Sequence, residues 1–118
     1  MKREQRLRSA ADYQRVRAHS PRVWAHPLLV LHVAPNDLDY ARVGITVSGR
    51  VGKAVVRNRV RRRLRAALRA RLNALVPSND MLVVARPASA QASWLELGRA
   101  LDVVLQRAGA TVTAGAGV

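Results

Sequence analysis

The residues with the clearest chemical potential are the positively charged side chains in the middle of the chain. Between Asp39 and Asp80 no acidic residue occurs, whereas eleven basic residues do. A guanidinium presents a planar fork that binds phosphate through two hydrogen bonds and stacks on nucleobases. The segment therefore predicts a surface for a polyanion, with nucleic acid as the leading partner. The eleven residues are Arg42, Arg50, Lys53, Arg57, Arg59, Arg61, Arg62, Arg63, Arg65, Arg69 and Arg71.

The charge balance of the whole chain supports this interpretation. Among 118 residues, 21 Lys and Arg stand against 7 Asp and Glu, which gives a formal net charge of +14. Arginines at 57, 61, 65 and 69 follow one another at the i,i+4 spacing of a helix, where like charges repel by roughly 0.2–0.5 kcal/mol per pair. Phosphate groups would supply the missing counter-charge in the bound state.

Catalysis by the protein's own side chains is not indicated. The histidines at 19, 26 and 32 lack metal-ligand spacing, and no paired carboxylates fall on a predicted strand. The loop 48–54 superficially resembles a nucleotide-binding loop, but its glycine spacing is wrong and Ala54 stands where a Mg²⁺-binding hydroxyl is needed. Cysteine is absent, which excludes disulfides and thiolate chemistry. We expect no catalytic residue and no metal site formed by the protein alone.

Hydrophobic periodicity predicts the elements that must position this charge. Within the helix expected at 56–75, one side is apolar and the opposite side carries Arg61, Arg62, Arg65 and Arg69. A continuously apolar run at 81–85 predicts a strand in the centre of a sheet. The other predicted elements are a helix at 10–18, extended segments at 22–24, 28–33 and 42–47, and a last helix from the S-x-x-E box at Ser93 to about Arg107.

The length allows one domain, which we assign to residues 1–109. Residues 110–118 are small and Gly/Ala-rich, which predicts a flexible C-terminal tail. No apolar run is long enough to cross a membrane, and the charged first residues lead into no secretory signal. The expected compartment is the cytoplasm.

Aromatic residues are scarce, so a stacking platform of several rings on adjacent strands is not available. Base contacts would depend on Tyr13 and on arginine planes. We expect Trp94, at the start of the last helix, to be a core residue. The four aromatic residues are Tyr13, Trp24, Tyr40 and Trp94.

Two adjacent segments carry a resemblance to a known family. Residues 42–48 (RVGITVS) and 51–65 (VGKAVVRNRVRRRLR) strongly resemble the bacterial ribonuclease P protein component, whose RNR signature matches residues 57–59. The likeness continues at 12–16 (DYQRV) and 80–87 (DMLVVARP) and covers about residues 5–107 in order.

The resemblance implies an α+β two-layer sandwich of order α-β-β-β-α-β-α. Its mixed four-stranded sheet would contain a left-handed βαβ crossover around the RNR helix. The general rule for such crossovers favours the right hand, so periodicity alone could not have suggested this feature.

The resemblance also implies a function. The family's protein is the small subunit of a ribonucleoprotein endonuclease whose RNA subunit removes the 5′ leader from precursor tRNA with Mg²⁺. The implied partners are that catalytic RNA and the single-stranded leader, with no membrane and no small-molecule substrate. The Mg²⁺ would be bound mainly by RNA, and the protein would raise substrate affinity and lower the Mg²⁺ requirement.

Two sets of site residues carry over from the family. The RNA-subunit contacts of the RNR region would be Arg50, Lys53, Arg57, Asn58, Arg59, Arg61, Arg62, Arg63, Arg65 and Arg69. The leader cleft would contain Tyr13, Val16, Arg17, Leu31 and Arg42. Arg17 and Leu31 stand where the family can carry aromatics, so leader binding here should depend more on charge and apolar contact than on stacking.

Three alternatives remain open at the level of sequence. The first is a general or ribosomal-type RNA-binding protein with no role in processing. The second is a DNA-binding nucleoid protein, although no helix-turn-helix spacing is recognisable. The third is a basic helix lying on an anionic membrane, which is disfavoured because the apolar face of that helix is needed by the sheet.

Overall fold

In the part of the chain that the structure describes, three α-helices and four β-strands follow one another in the predicted order. The computed structural model describes residues 3–20 and 22–111. The helices are α1 (Ala10–His19), α2 (Ala54–Arg71) and α3 (Trp94–Arg107). The strands are β1 (Arg22–Ala25), β2 (Leu29–Pro35), β3 (Arg42–Thr46) and β4 (Asn79–Ala85). The predicted α+β class is confirmed.

The strands form one mixed sheet in the spatial order β1-β2-β4-β3. β2 pairs antiparallel with both β1 and β4. β3 pairs parallel with β4, and α2 lies in the connection between these two strands. β4 has a neighbouring strand on each side and is covered on both faces, which confirms the central position that its continuously apolar sequence predicts. The parallel βαβ connection is therefore confirmed, and its hand stays a prediction.

Helices cover both faces of the sheet. α2 and α3 pack on one face and form the expected helical layer, whose core includes Leu31, Val83, Leu64 and Leu101. α1 packs on the other face, where a smaller cluster is formed by Leu7, Val16, Ala34 and Leu82. Because strand side chains alternate between faces, neighbouring residues of one strand serve different clusters.

Local signals explain where the helices begin. The Ser9 side chain accepts a hydrogen bond from the Asp12 N–H at 3.1 Å and caps α1. At α3, the Ser93 hydroxyl accepts from the Glu96 N–H at 3.1 Å, and the Glu96 carboxylate accepts from the Ser93 N–H at 2.9 Å. The capping box predicted from sequence is therefore present. It satisfies N–H groups that the first helical turn would otherwise leave unpaired.

The end of α2 differs from the prediction. The helix stops at Arg71, and Leu72–Ala74 form a tight 3₁₀ turn closed by a hydrogen bond from the Leu75 N–H to the Leu72 carbonyl at 3.2 Å. Leu75 is nevertheless buried in the core. The apolar residues keep their helical spacing beyond the point where the chain turns back toward β4. The spacing alone therefore predicts a helix that is too long.

The C-terminal boundary also needs a correction. The Val76 N–H donates to the Ala110 carbonyl at 2.8 Å, Leu75 and Thr111 form an antiparallel bridge, and Ala110 is buried. Residues 110 and 111 thus belong to the folded domain and not to a tail. Residues 112–118 lie outside the described residues.

Trp94 is not a core residue, contrary to the sequence expectation. Its side chain is 53% exposed at the first position of α3. The buried stripe of α3 begins one turn later, at Leu97.

Within the described ranges, no helix is long and apolar enough to span a bilayer.

The position of Leu31 leads to a stability prediction. Leu31→Ala should lower the free energy of unfolding by about 2–5 kcal/mol, since it removes a fully buried side chain from between the sheet and the helical layer. Urea denaturation followed by circular dichroism measures this. Leu95→Ala is the matched control, because Leu95 is 53% exposed and its truncation should change stability by less than about 0.5 kcal/mol. Equal effects of the two variants would contradict the assignment of Leu31 to the core.

Candidate nucleic-acid interface

The outward side of α2 is cationic along its length. Val60, Leu64, Ala67 and Leu68 are buried against the sheet and α3. The polar residues of the helix therefore face solvent, as amphipathic periodicity requires. Of the predicted contacts, Arg50, Lys53, Asn58, Arg62, Arg65 and Arg69 are exposed, and Arg57, Arg59, Arg61 and Arg63 are half-buried.

Two of the half-buried arginines are bound to the segment that precedes α3. The Arg59 guanidinium donates to the Ala90 carbonyl at 3.0 Å, and the Arg63 guanidinium donates to the Ala92 carbonyl at 2.6 Å. A guanidinium has five N–H donors, so each keeps others for a further ligand. Arg59 and Arg63 are therefore both structural ties and candidate contacts, a double role that sequence spacing did not reveal.

The opposite flank of α2 borders a groove at the edge of the sheet. β3 is an edge strand, and the groove lies beside it between α1 and α2. One part encloses about 420 Å³ and an adjoining part about 400 Å³. We call this surface the β3-edge groove and define it by Tyr13, Arg17, Ile45, Arg61 and Arg65.

The floor of this groove depends on a glycine. A Cβ atom at position 44 would lie 2.7 Å from Cε1 of Tyr13 and 2.9 Å from Cδ1 of Leu7. Only glycine lets the Tyr13 ring lie directly against the backbone of β3 without displacement. A glycine inside a predicted strand is a signal for such a close approach.

Arg61 joins the groove to the outer surface of α2. It borders both parts of the β3-edge groove and also a third depression on α2 of about 570 Å³, shared with Asn58, Arg62 and Arg65. The Arg61 guanidinium donates to the Asn58 side-chain oxygen at 3.1 Å. Asn58 therefore orients Arg61 at the junction, and the outer side of α2 and the β3-edge groove form one continuous cationic surface.

A buried carboxylate fixes the wall of the groove. Asp80, at the start of β4, is fully buried, and its oxygens accept hydrogen bonds from three directions. Arg42 on β3 donates through Nε at 2.9 Å and through Nη2 at 2.7 Å, and Asn36 donates at 2.8 Å. Arg15 on α1 completes the cluster with an ion pair to the same carboxylate. The cluster ties α1 to the two parallel strands.

The ionisation of Asp80 follows from a balance of two effects. Burial removes the carboxylate from water and by itself raises its pKa. The hydrogen bonds from Arg42, Asn36 and Arg15, together with the charge of Arg42, outweigh burial, so the pKa of Asp80 lies below its ordinary value. The hydrogen bond to Asp80 correspondingly raises the pKa of Arg42. Both groups are therefore charged at neutral pH.

Three residues predicted for the leader cleft are placed elsewhere. Val16 lies on the side of α1 that packs against the sheet and is fully buried, so it supports the groove without being accessible. Leu31 lies on the opposite face of the sheet, because strand alternation turns it toward α2 and α3. Arg42 is committed to Asp80 and also lies 3.8 Å from Asp12. Tyr13 and Arg17 do line the groove.

The Asp80 cluster is the feature that sequence reasoning missed. The signal was present, because Asp80 is the first acid after a basic stretch of forty residues and directly precedes a buried strand. A carboxylate at that position needs cationic partners. Which arginines supply them depends on tertiary contacts from Arg15 and Arg42, which are 65 and 38 residues away in sequence.

The described residues contain no group of three or more His, Cys, Asp or Glu that could hold a metal ion. The acids of the site are Asp80 and Asp12, and Asp80 is already saturated by cations. Burial lowers the pKa of His32 and the charge of Arg17 lowers it further, so this imidazole is neutral at pH 7. The donor set therefore does not fit a Mg²⁺ ion held by the protein.

The fold and the continuous cationic surface define an α+β protein with a cationic helix beside a groove. The model of the Ribonuclease P family matches residues 1–109, and the chain belongs to this family. The tyrosine, the glycine and the arginines that form the groove all lie within the matched range. The general role of the family is the 5′ processing of tRNA.

Individual relatives agree with this membership. The ribonuclease P protein component of Herpetosiphon aurantiacus is 42% identical over 108 residues, which cover 92% of this chain and 87% of the relative. That of Roseiflexus castenholzii is 44% identical, with coverage of 92% and 89%. The structure of the Staphylococcus aureus RNase P protein superposes with a TM-score of 0.81 at 28% identity, covering 90% of this chain and 96% of the other.

The Asp80 cluster predicts how stability depends on pH. Because the pKa of Asp80 is lower in the folded than in the unfolded chain, its contribution is complete above the ordinary aspartate pKa of about 4 and is lost as pH falls below it. Asp80→Asn should cost about 2–3 kcal/mol at pH 7, less than a wholly buried pair because Arg15 is 37% exposed. The variant should also lose less stability than wild type between pH 5 and pH 3. Urea unfolding across about pH 3–7 measures both.

Asp37→Asn provides the control for this series, since Asp37 is an exposed turn residue. It should reproduce the wild-type pH profile. If Asp80→Asn does so as well, the cluster does not stabilise the fold through the ionised carboxylate.

Proposed function

We propose that this chain is the RNA-binding subunit of a ribonuclease P holoenzyme that works in the cytoplasm on precursor tRNA. The outer surface of α2 binds the catalytic RNA, and the β3-edge groove holds the single-stranded 5′ leader. The observation that carries the proposal is the continuity of charge from Arg62 through Arg61 into the groove at Tyr13. One protein surface thereby contacts both the catalytic RNA and its substrate.

The α2 surface suits a folded RNA. Its exposed arginines have no acidic neighbour between positions 40 and 79, so they attract phosphates from several directions. Contacts to about six to eight phosphates would give a log–log salt dependence with a slope of roughly −5 to −7. This charge would also reduce the repulsion between the two RNA molecules, which lowers the Mg²⁺ concentration that assembly requires.

The groove suits a single strand. Tyr13 offers one ring for stacking, Ile45 an apolar wall, and Arg17, Arg61 and Arg65 offer cations along the path. A duplex would not present its bases to a single ring, whereas a leader has unpaired bases that can turn toward it. The groove therefore favours affinity for a flexible strand over recognition of its base sequence.

Hydrolysis is assigned to the RNA. The protein site brings together arginines, an asparagine and a tyrosine, and its acid Asp80 is buried and ion-paired. We propose that the Mg²⁺ of the reaction is held by RNA and substrate, because the protein's donor set does not fit it. The protein's own residues bind the leader, orient it and compensate charge.

Reconstitution tests the proposed function directly. Adding the full chain to the ribonuclease P RNA of the same organism at low Mg²⁺ should accelerate cleavage of a precursor tRNA that carries a 5′ leader. Rates are measured in single-turnover assays, with a leaderless tRNA as competitor to separate leader binding from tRNA binding. RNA binding without any stimulation would favour a general RNA-binding protein instead, and a preference for duplex DNA would favour a nucleoid protein.

The α2 surface predicts a specific salt effect. Arg62→Ala should weaken binding to the RNA subunit and make the log–log salt slope shallower by about one, because one phosphate contact is lost. Arg107→Ala is the matched control, since Arg107 is an exposed arginine in the last turn of α3. Filter binding at several salt concentrations measures the slopes. A wild-type slope shallower than about −2 would contradict an extended arginine contact.

A further inference from the structure

Trp94 is exposed without a structural reason for its identity. It is 53% exposed at the first position of α3, and neither core cluster includes it. The Ser93–Glu96 capping box starts the helix, so the first turn does not need an indole. By contrast, Tyr13 and Trp24 both pack against hydrophobic clusters. Trp94 thus offers the most exposed large aromatic surface in the described part of the chain.

Two arginines converge on the same segment from α2. The Arg59 and Arg63 guanidinium groups bind the carbonyls of Ala90 and Ala92, the latter two residues before Trp94. The carbonyls hold the cations in place but carry no net charge. Each guanidinium therefore remains a positive group with unused donors beside the start of α3.

The acidic residues near this end of α3 limit which groups of a ligand can bind there. Glu96 uses its carboxylate in the capping box and would repel a phosphate placed on the helix terminus itself. Asp102 lies further along α3 and pairs with Arg71. The arrangement therefore favours a base stacked on the indole, with its phosphates on the α2 side near Arg59 and Arg63, over an anion on the helix N-terminus.

The location of these side chains favours one of the two RNAs of the proposed function. On α2, Arg59 and Arg63 lie on the flank opposite Arg61 and Arg65, since successive residues turn by about 100°. The β3-edge groove, which we propose for the leader, is on the flank of Arg61 and Arg65. A strand on the other flank would come from the RNA subunit.

We propose that Trp94 stacks on an unpaired base of the catalytic RNA, with Arg59 and Arg63 binding the adjacent phosphates. This inference rests on the proposed function for its partner but concerns a second contact surface. An unpaired base in a bulge or loop of the RNA can reach a ring at a helix end, whereas stacked bases within a duplex cannot.

The test compares variants in binding to the ribonuclease P RNA of the same organism at constant salt. Trp94→Ala should weaken binding by about 5- to 150-fold, the range for loss of one base–aromatic stack. Trp94→Phe should retain most of the affinity because it keeps an aromatic face. The salt slope of Trp94→Ala should equal that of wild type, since an indole releases no counterions. Leu95→Ala, which alters an equally exposed neighbour, should change affinity by less than about twofold.

Fluorescence gives an independent readout. In a Trp24→Phe background Trp94 is the only tryptophan, and the RNA subunit should quench its emission, whereas a leader oligonucleotide should not. If the oligonucleotide quenches it instead, the site belongs to the leader and the assignment to the RNA subunit is overturned. Where Trp24→Phe does not fold, the binding series, which retains Trp24, decides alone.

The remaining outcomes separate this inference from the proposed function. If wild type binds and stimulates the RNA but Trp94→Ala equals wild type, only the stacking contact is overturned. Equal losses in Trp94→Ala and Leu95→Ala without rescue by Trp94→Phe would instead indicate a general apolar contact, such as one with a second copy of the chain. If wild type does not bind the RNA subunit, the proposed function itself fails.

Discussion

One buried carboxylate organises the working part of this molecule. Asp80 is closed off from solvent and is compensated by Arg15 and Arg42, with Asn36 completing its hydrogen bonds. A buried charge without such partners would be strongly unfavourable, so α1 and β3 must take the positions that bring the two guanidinium groups to it. The Tyr13 ring on α1 is thereby set over the backbone of β3, where Gly44 leaves room for it. The groove keeps its shape because this ion cluster holds α1, which forms one wall, against β3, which forms the floor.

The arginines of a single sequence stretch acquire different roles from their surroundings. Arg71 binds Asp102 at 2.5 Å and the Gly98 carbonyl at 3.1 Å, which ties α2 to α3. Arg59 and Arg63 satisfy backbone carbonyls, whereas Arg62 projects into solvent. Because acidic residues are few, ion pairs within the protein neutralise only those arginines that hold elements of the fold together. Among the described residues, the other exposed arginines of α2 have no acidic partner of this kind, so their positive charge stays on the surface of the helix.

The edge position of β3 links these two features. β3 pairs with β4 on one side, and on its other side Val43 forms a bridge with Arg6 and accepts a hydrogen bond from the Leu7 N–H at 2.8 Å. As the outermost strand of the sheet, β3 is approached by α1 and α2 from opposite faces. Arg61 reaches from α2 toward Tyr13 across that edge. Because α1 and α2 meet at this one edge of the sheet, the basic helix α2 also forms part of the groove.

Much of this was readable from the chain alone. Hydrophobic patterning located the strands and the apolar side of α2, and the S-x-x-E box located the start of α3. The uninterrupted basic stretch predicted a cationic surface on α2. These signals act between residues that are close in sequence. Contacts between distant segments were not accessible in this way. Leu31 was assigned to the wrong face, Arg42 was placed in the leader cleft although it is paired with Asp80, and Trp94 was expected in the core. Which face a strand residue serves, which cation meets Asp80 and how far a helix extends past the sheet depend on packing between elements. Only the folded chain decides that packing, since local periodicity carries no information about which elements meet.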